Sequence, residues 1–234
     1  QQKAAKSFQL RPDVPKHEDF RVMIDEMRGK LDAVVVATPD HVHHAPSAYA
    51  LRAGLHVFCE KGLTRTIQES RTLAELTVEQ ERSTQMGNQA GYNVRVIENV
   101  WAGRLGEIQT IHMWGGGGAG PRQAPSGPHE VPDYLNWDLW LGPAPYRPYH
   151  PCYCPGAWRR WWDFGQGTLG DMACHYMDLP FWALNLRHPT KCAAEGPPVH
   201  PETCPLGLIV RYDVIAVGAG GPVPSRGHLT RLYD

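Results

Sequence analysis

The apolar positions of this chain change period as the sequence advances. A run beginning at Ala33-Val34-Val35-Val36 stops at Thr38-Pro39-Asp40, and a second short run, Val57-Phe58-Cys59, stops at Glu60-Lys61. Between them the segment from about Pro46 to Ala53 has helical character. Two short buried strands with a helix between them describe a βαβ unit of a parallel sheet. In open α/β sheets the ligand sits beyond the carboxyl ends of the strands, so the polar tips Thr38 to His44 and Glu60-Lys61 are expected to face a functional crevice.

The same alternation extends on both sides. Phe20, Ile24 and Met27 predict a helix over Glu18 to Arg28, which Gly29 stops, and a strand follows from Leu31 to Thr38. A helix from about Ile67 to Glu81 buries Leu73 and Leu76, then comes a strand from Ser83 to Met86, and Val94, Ile97 and Trp101 suit a helix ending at Gly103. Helix and strand alternate in this way in doubly wound sheets. From Glu107 the pattern changes. Ile108, Ile111 and Met113 belong to a strand, and a long Gly/Pro-rich loop runs to about Gly156. A helix from Leu169 to Leu184 and strands near Leu208 to Tyr212 and His228 to Tyr233 then suggest a second, α+β domain.

Composition narrows the function more by exclusion than by assignment. The 234 residues suffice for one to two domains, and 23 basic against 24 acidic residues, a formal net charge of −1, offer no electrostatic footprint for nucleic acid. No apolar run reaches the roughly 18 to 20 residues of a membrane span, and no signal peptide opens the chain. Cysteines at 59, 152, 154, 174, 192 and 204 show no C-x-x-C spacing, so buried or incidental thiols are expected. Cys152 and Cys154 beside His150 make too sparse a donor set for zinc, and no metal is expected.

The residue pair with the clearest chemical potential is Asp171 and His175, four apart on a predicted helix and therefore on one face. A carboxylate beside an imidazole can fix its tautomer, and an imidazole is suited to take a proton from an alcohol. On spacing alone, a solvated i,i+4 pair describes them as well, just as a surface position describes Lys61. His41, His43 and His44 leave the strand in different directions and do not form a metal cluster; His41 and His44 are expected to be exposed. Trp158, Trp161 and Trp162 suit either a sugar ring or a packed core. The glycine run from Gly115 to Gly120 leads into Pro121 rather than a helix, so it is not a phosphate-binding turn.

Several ordered motifs resemble the glucose-fructose oxidoreductase/inositol dehydrogenase (Gfo/Idh/MocA) family. They are T-P-x-x-x-H after a Val-rich strand, A-G-x-H-V-x-x-E-K, Gln85-Met86-Gly87-Asn88-Gln89, Gly103 to Ile108, the stretch Asn136 to Pro143, and Gly170-Asp171 through His175 to Asp178. The resemblance implies an α/β chain with an incomplete doubly wound, Rossmann-type parallel sheet over residues 1–91, followed over 92–234 by an α+β substrate domain on an open, mainly antiparallel sheet. The G-x-G-x-x-G turn that normally opens such a domain is absent, and Gln1 falls just past the expected second strand. The chain is therefore expected to be an internal piece of a longer oxidoreductase, inactive and weak in cofactor binding by itself.

The resemblance also implies roles. Lys61, Asp171 and His175 form the active-site trio over the nicotinamide of NAD or NADP, while Thr38, Pro39, His43, Glu60, Lys61, Asn88 and Gln89 line the cofactor crevice. His175 is the base toward a hydroxyl. Lys61 stabilises the developing alkoxide and holds His175 neutral, and Asp171 orients the imidazole or binds a neighbouring hydroxyl. Gly62 stands where the family usually has proline, which is expected to loosen the aim of Lys61. The implied activity is hydride transfer to or from a small sugar, cyclitol or related polyol, with no nucleic-acid or membrane partner, a homo-oligomer joined through the C-terminal sheet, and a cytoplasmic or exported, periplasmic location. An NAD-dependent glycosidase of the same fold and a non-catalytic binding protein stand as alternatives. The first is disfavoured by Glu60-Lys61, since the comparable glycosidases lack that lysine.

Overall fold

The computed structural model describes residues 5–89, 94–115, 126–127, 129–205, 207–216 and 227–232. It divides into two compact units, residues 1–86 with 126–153 and residues 87–125 with 154–234. The expected single boundary at 91/92 differs from this partition in two ways: the opening stretch of the first unit ends at residue 86, and residues 126–153 cluster with it.

In the first unit, α1 (Ala5–Leu10) and α2 (Phe20–Glu26) precede β1 (Ala33–Val36), α3 (His44–Arg52), β2 (His56–Glu60), α4 (Ile67–Glu79) and β3 (Thr84–Gly87). The strands form a sheet in the order β1-β2-β3, with β1 and β2 parallel and Val36 level with Cys59. Register places Val34, Val36, Val57 and Cys59 on the face that packs against Ala48, Ala50 and Leu51 of α3 and Leu73 and Leu76 of α4. The alternate positions point away, and Val35 is 70% exposed. Both helices start and stop for local reasons. At the start of α4, Thr66 Oγ1 accepts from Glu69 N–H while the Glu69 carboxylate accepts from Thr66 N–H, a reciprocal cap. At the end of α3, the chain turns through Gly54 with φ +80°.

The second unit contains α5 (Val94–Trp101), β4 (Thr110–Trp114), α7 (Gly167–Ala183), β5 (Leu186–Glu195), β6 (Ile209–Ala216) and β7 (Gly227–Leu232). The sheet order is β4-β7-β6-β5, with β5–β6 and β6–β7 antiparallel and β4–β7 parallel, the open and mainly antiparallel sheet that was expected. Leu184, Leu186 and Val214 form its buried centre, with Ile111, Met113, Met177 and Phe181 packed around them. The Trp101 indole N–H donates to Ala183 O at 3.0 Å and ties α5 to the end of α7.

Two elements were not expected. The stretch read as continuous loop contains α6 (Trp137–Leu141), capped by Asn136, whose side chain accepts from Leu139 N–H at 3.1 Å. The strand β5 carries Pro189 and is exposed at every position but its first. It is an edge strand, where a missing N–H is tolerated, and its pairing with β6 is irregular on both sides of Pro189. Residues 116–120 of the glycine run and Tyr233 lie outside the described residues.

Candidate functional site

The expected site residues of the first unit gather where β1 and β2 end. After β1 the chain passes through Thr38-Pro39 and a single 3-10 turn, Asp40–Val42, which brings His43 back over the strand end. His43 is fully buried. Its Nε2 lies 2.7 Å from Thr38 O and its Nδ1 2.7 Å from Gly62 O, so one ring ties the ends of β1 and β2 together through their backbones. Both nitrogens of His43 are thus taken up by backbone, and its influence on anything bound in the crevice runs through Thr38 and Gly62. Thr38 is exposed, and Pro39, Glu60 and Lys61 are half-buried. The Lys61–Gly62 peptide is cis.

His41, expected to be exposed, is buried. Its Nε2 lies 2.9 Å from Trp140 O and its ring centroid 5.0 Å from that of Trp140, because α6 folds back onto the turn after β1. Trp140 stacks on Trp137 at 4.7 Å, and the Trp137 indole N–H donates to Arg147 O at 2.8 Å. Gly142 ends α6 with φ +51°, and a Cβ there would lie 2.6 Å from Val42 Cγ1, so only glycine lets α6 sit this close to the turn. Thr38, Pro39, Lys16, Asp19, Asn136 and Trp140 line part of a cleft of about 570 Å³ within this unit. In the core between the sheet and its helices, burial pushes the Cys59 thiol up to about 11, which keeps it protonated and unreactive near neutrality.

The second unit holds the other group. Asp171, His175 and Asp178 are spaced i, i+4 and i+7 along α7 and share a face. The Nδ1–H of His175 donates to Asn88 O at 2.8 Å. A carbonyl oxygen only accepts, so this bond puts the ring proton on Nδ1 and leaves Nε2 with its lone pair. The orienting contact expected from Asp171 is made here by the Asn88 carbonyl. Asp171 accepts from Arg159 Nε at 3.3 Å, and the Arg159 guanidinium lies over the Trp158 ring, 4.3 Å from its centroid. Arg159 is seated by Gly165, where a Cβ would lie 2.5 Å from Arg159 Cα. Trp158 and Trp161 are buried, which makes them core residues, and the half-buried Trp162 donates from its indole N–H to His200 O at 3.0 Å. Gln89 is exposed with φ +56°.

Thr38, Pro39, His43, Glu60 and Lys61 are therefore placed together in the first unit, and Asn88, Asp171 and His175 in the second. Sequence reasoning gave no role to Arg159, Trp140 or Asp178. The first two act through partners elsewhere in the chain, while Asp178 lies one helical turn beyond His175 on the same face. Among the described residues no three His, Cys, Asp or Glu side chains are grouped as a metal site, and no helix is long and apolar enough to cross a membrane.

Comparison with known proteins places the chain in a family. Residues 1–88 match the oxidoreductase family's NAD-binding Rossmann-fold domain and residues 111–213 its C-terminal alpha/beta domain, both of the Gfo/Idh/MocA type. The chain belongs to the Gfo/Idh/MocA oxidoreductase family. It is 33% identical over 86 residues to inositol 2-dehydrogenase 1 of Saccharopolyspora erythraea, a match that takes in 35% of this chain and 26% of that protein. It is 40% identical over 55 residues to levoglucosan dehydrogenase of Pseudarthrobacter phenanthrenivorans, covering 24% of this chain and 14% of that protein. Among solved structures, the WlbA dehydrogenase of Bordetella pertussis, in complex with NADH and UDP-GlcNAcA, superposes with a TM-score of 0.67 at 15% identity, covering 99% of this chain and 56% of that one. An inositol dehydrogenase homolog of Azotobacter vinelandii, complexed with NADH and myo-inositol, gives 0.59 at 23% identity, covering 92% and 48%. At these identities the structural likeness speaks for the fold, and this chain spans about half the length of the solved relatives.

Proposed function

We propose that these residues serve reversible hydride transfer between a nicotinamide cofactor, NAD or NADP, and the carbinol carbon of a sugar, cyclitol or related polyol. The observation that carries the reading is the His175 Nδ1–H bond to Asn88 O, because it leaves Nε2 free to take the hydroxyl proton. The cofactor supplies the carbon that accepts or returns the hydride. Lys61 supplies an ammonium for the alkoxide that develops as the proton leaves. Asp171, paired with Arg159, binds a neighbouring substrate hydroxyl. The cleft along Thr38 and Pro39 lies at the carboxyl end of β1, where doubly wound sheets take nucleotides, and its volume suits a mononucleotide half. Glu60, Asn88 and Gln89 complete the proposed cofactor contacts, and His43 contributes by holding Thr38 and Gly62.

The test is reduction of NAD or NADP by the natural gene product that carries these residues, assayed against a panel of aldoses, inositols and other polyols. Polyol-dependent reduction is expected. His175→Ala should slow it about 100- to 10,000-fold while leaving cofactor affinity within a few-fold. Failure of every polyol to support reduction, or full activity in His175→Ala, would overturn the reading.

A further inference from the structure

The motif that ends at Asp178 is not exhausted by Asp171 and His175. One helical turn beyond His175, Asp178 Oδ1 accepts from Asn88 Nδ2 at 2.5 Å. Asn88 is thus held twice by α7, its side-chain amide by Asp178 and its backbone carbonyl by His175. These contacts bridge ninety and eighty-seven positions of sequence, so local chain geometry does not impose them. The other oxygen, Asp178 Oδ2, is buried with no hydrogen-bond partner among the described residues. A carboxylate served at one oxygen only depends heavily on that single donor, and bonds to ionised acceptors are shorter and stronger than neutral ones.

We propose that Asp178 and Asn88 form a positioning pair that sets the tautomer of His175. The inference rests on reading His175 as the base of the proposed reaction. An acidic acceptor at 178 decides which end of the Asn88 amide faces the helix: the NH2 group must point to Asp178. With its side chain fixed, Asn88, which directly follows β3, presents its carbonyl to His175 in one orientation. Without that clamp the residue lies beside exposed Gln89, and the carbonyl loses its fixed orientation toward the imidazole. The ring would then exchange between its two tautomers, and the lone pair at Nε2 would be present only part of the time.

The experiment reads the tautomer directly, without turnover. The 234-residue chain is prepared with isotope-labelled histidine, and long-range proton–nitrogen correlation spectra are recorded above the histidine titration range. The signal that disappears in His175→Gln is that of His175. It should show the Nδ1–H form. Asn88→Asp faces one carboxylate with another, and should convert this signal to the Nε2–H form or to exchange between both. The double variant Asn88→Asp/Asp178→Asn exchanges donor for acceptor and should restore the Nδ1–H form, which a loss of general packing would not do. If Asn88→Asp does not fold, Asp178→Ala is read in its place with the same shift expected. An Nε2–H signal in the unaltered chain, an unchanged tautomer in a folded single variant, or a folded double variant that fails to recover would overturn the proposal. Correct tautomer responses in a protein without polyol-dependent turnover would sink the redox reading and leave the pair standing.

Discussion

His43 shows how much one buried ring can organise. Its two 2.7 Å contacts reach the backbone after β1 and the backbone after β2, so the residue that closes T-P-x-x-x-H joins the two strand ends that carry Thr38 and Lys61. The Gly62 carbonyl, next to Lys61, is held by this ring. His43→Ala removes both contacts and should cost about 0.5 to 1.5 kcal/mol for each. A denaturant titration checks this. A loss below about 1 kcal/mol in total would mean that water replaces the ring freely and that the strand ends are not tied by it. The His43 contact with Gly62 spans nineteen positions, but the one with Thr38, five positions away, was within reach of sequence reasoning. The burial of His41 was not, since Trp140 arrives from ninety-nine positions away and no period in the chain reports it. The same holds for Asp171: its spacing from His175 was legible, but its pairing with Arg159 depends on a close chain passage at Gly165 that no sequence pattern announces.

Among the elements, those whose stabilising contacts lie within a few residues were read well. T-x-x-E at Thr66 to Glu69 precedes the apolar spacing of Leu73 and Leu76, and α4 begins there with both capping bonds made. Thr66→Ala should lower stability by about 1 kcal/mol, the ordinary value of an N-cap oxygen, with the far-ultraviolet spectrum of the folded protein unchanged. Equal denaturation midpoints for Thr66→Ala and the unaltered protein would show that the cap is satisfied by solvent at no cost. The strand β5 was missed for the opposite reason. Its alternation is absent because almost the whole strand is exposed, and Pro189 reads as a strand breaker until the sheet order makes β5 an edge. The short helix α6 hid inside a Gly/Pro-rich stretch because five residues are too few to show a period, and Asn136 was its only local signal.

At the scale of the molecule, ordered motifs carried the family and alternation carried the fold class. The sugar or polyol is legible in neither, because specificity depends on side chains and loops whose placement is not periodic. The proposed reaction draws on both units, with Lys61 and the strand-end cleft in the first and His175 in the second. The most direct measurement follows the hydrogen itself. The natural gene product is given a polyol that supports turnover, deuterated at its carbinol carbons, and the reduced cofactor is recovered for mass spectrometry. The account predicts that deuterium passes from carbon to the nicotinamide without exchange with water, and that His175→Ala and Lys61→Ala each slow that transfer while the label still arrives intact. Reduced cofactor carrying solvent hydrogen instead of deuterium, or transfer at an unchanged rate in both variants, would contradict it.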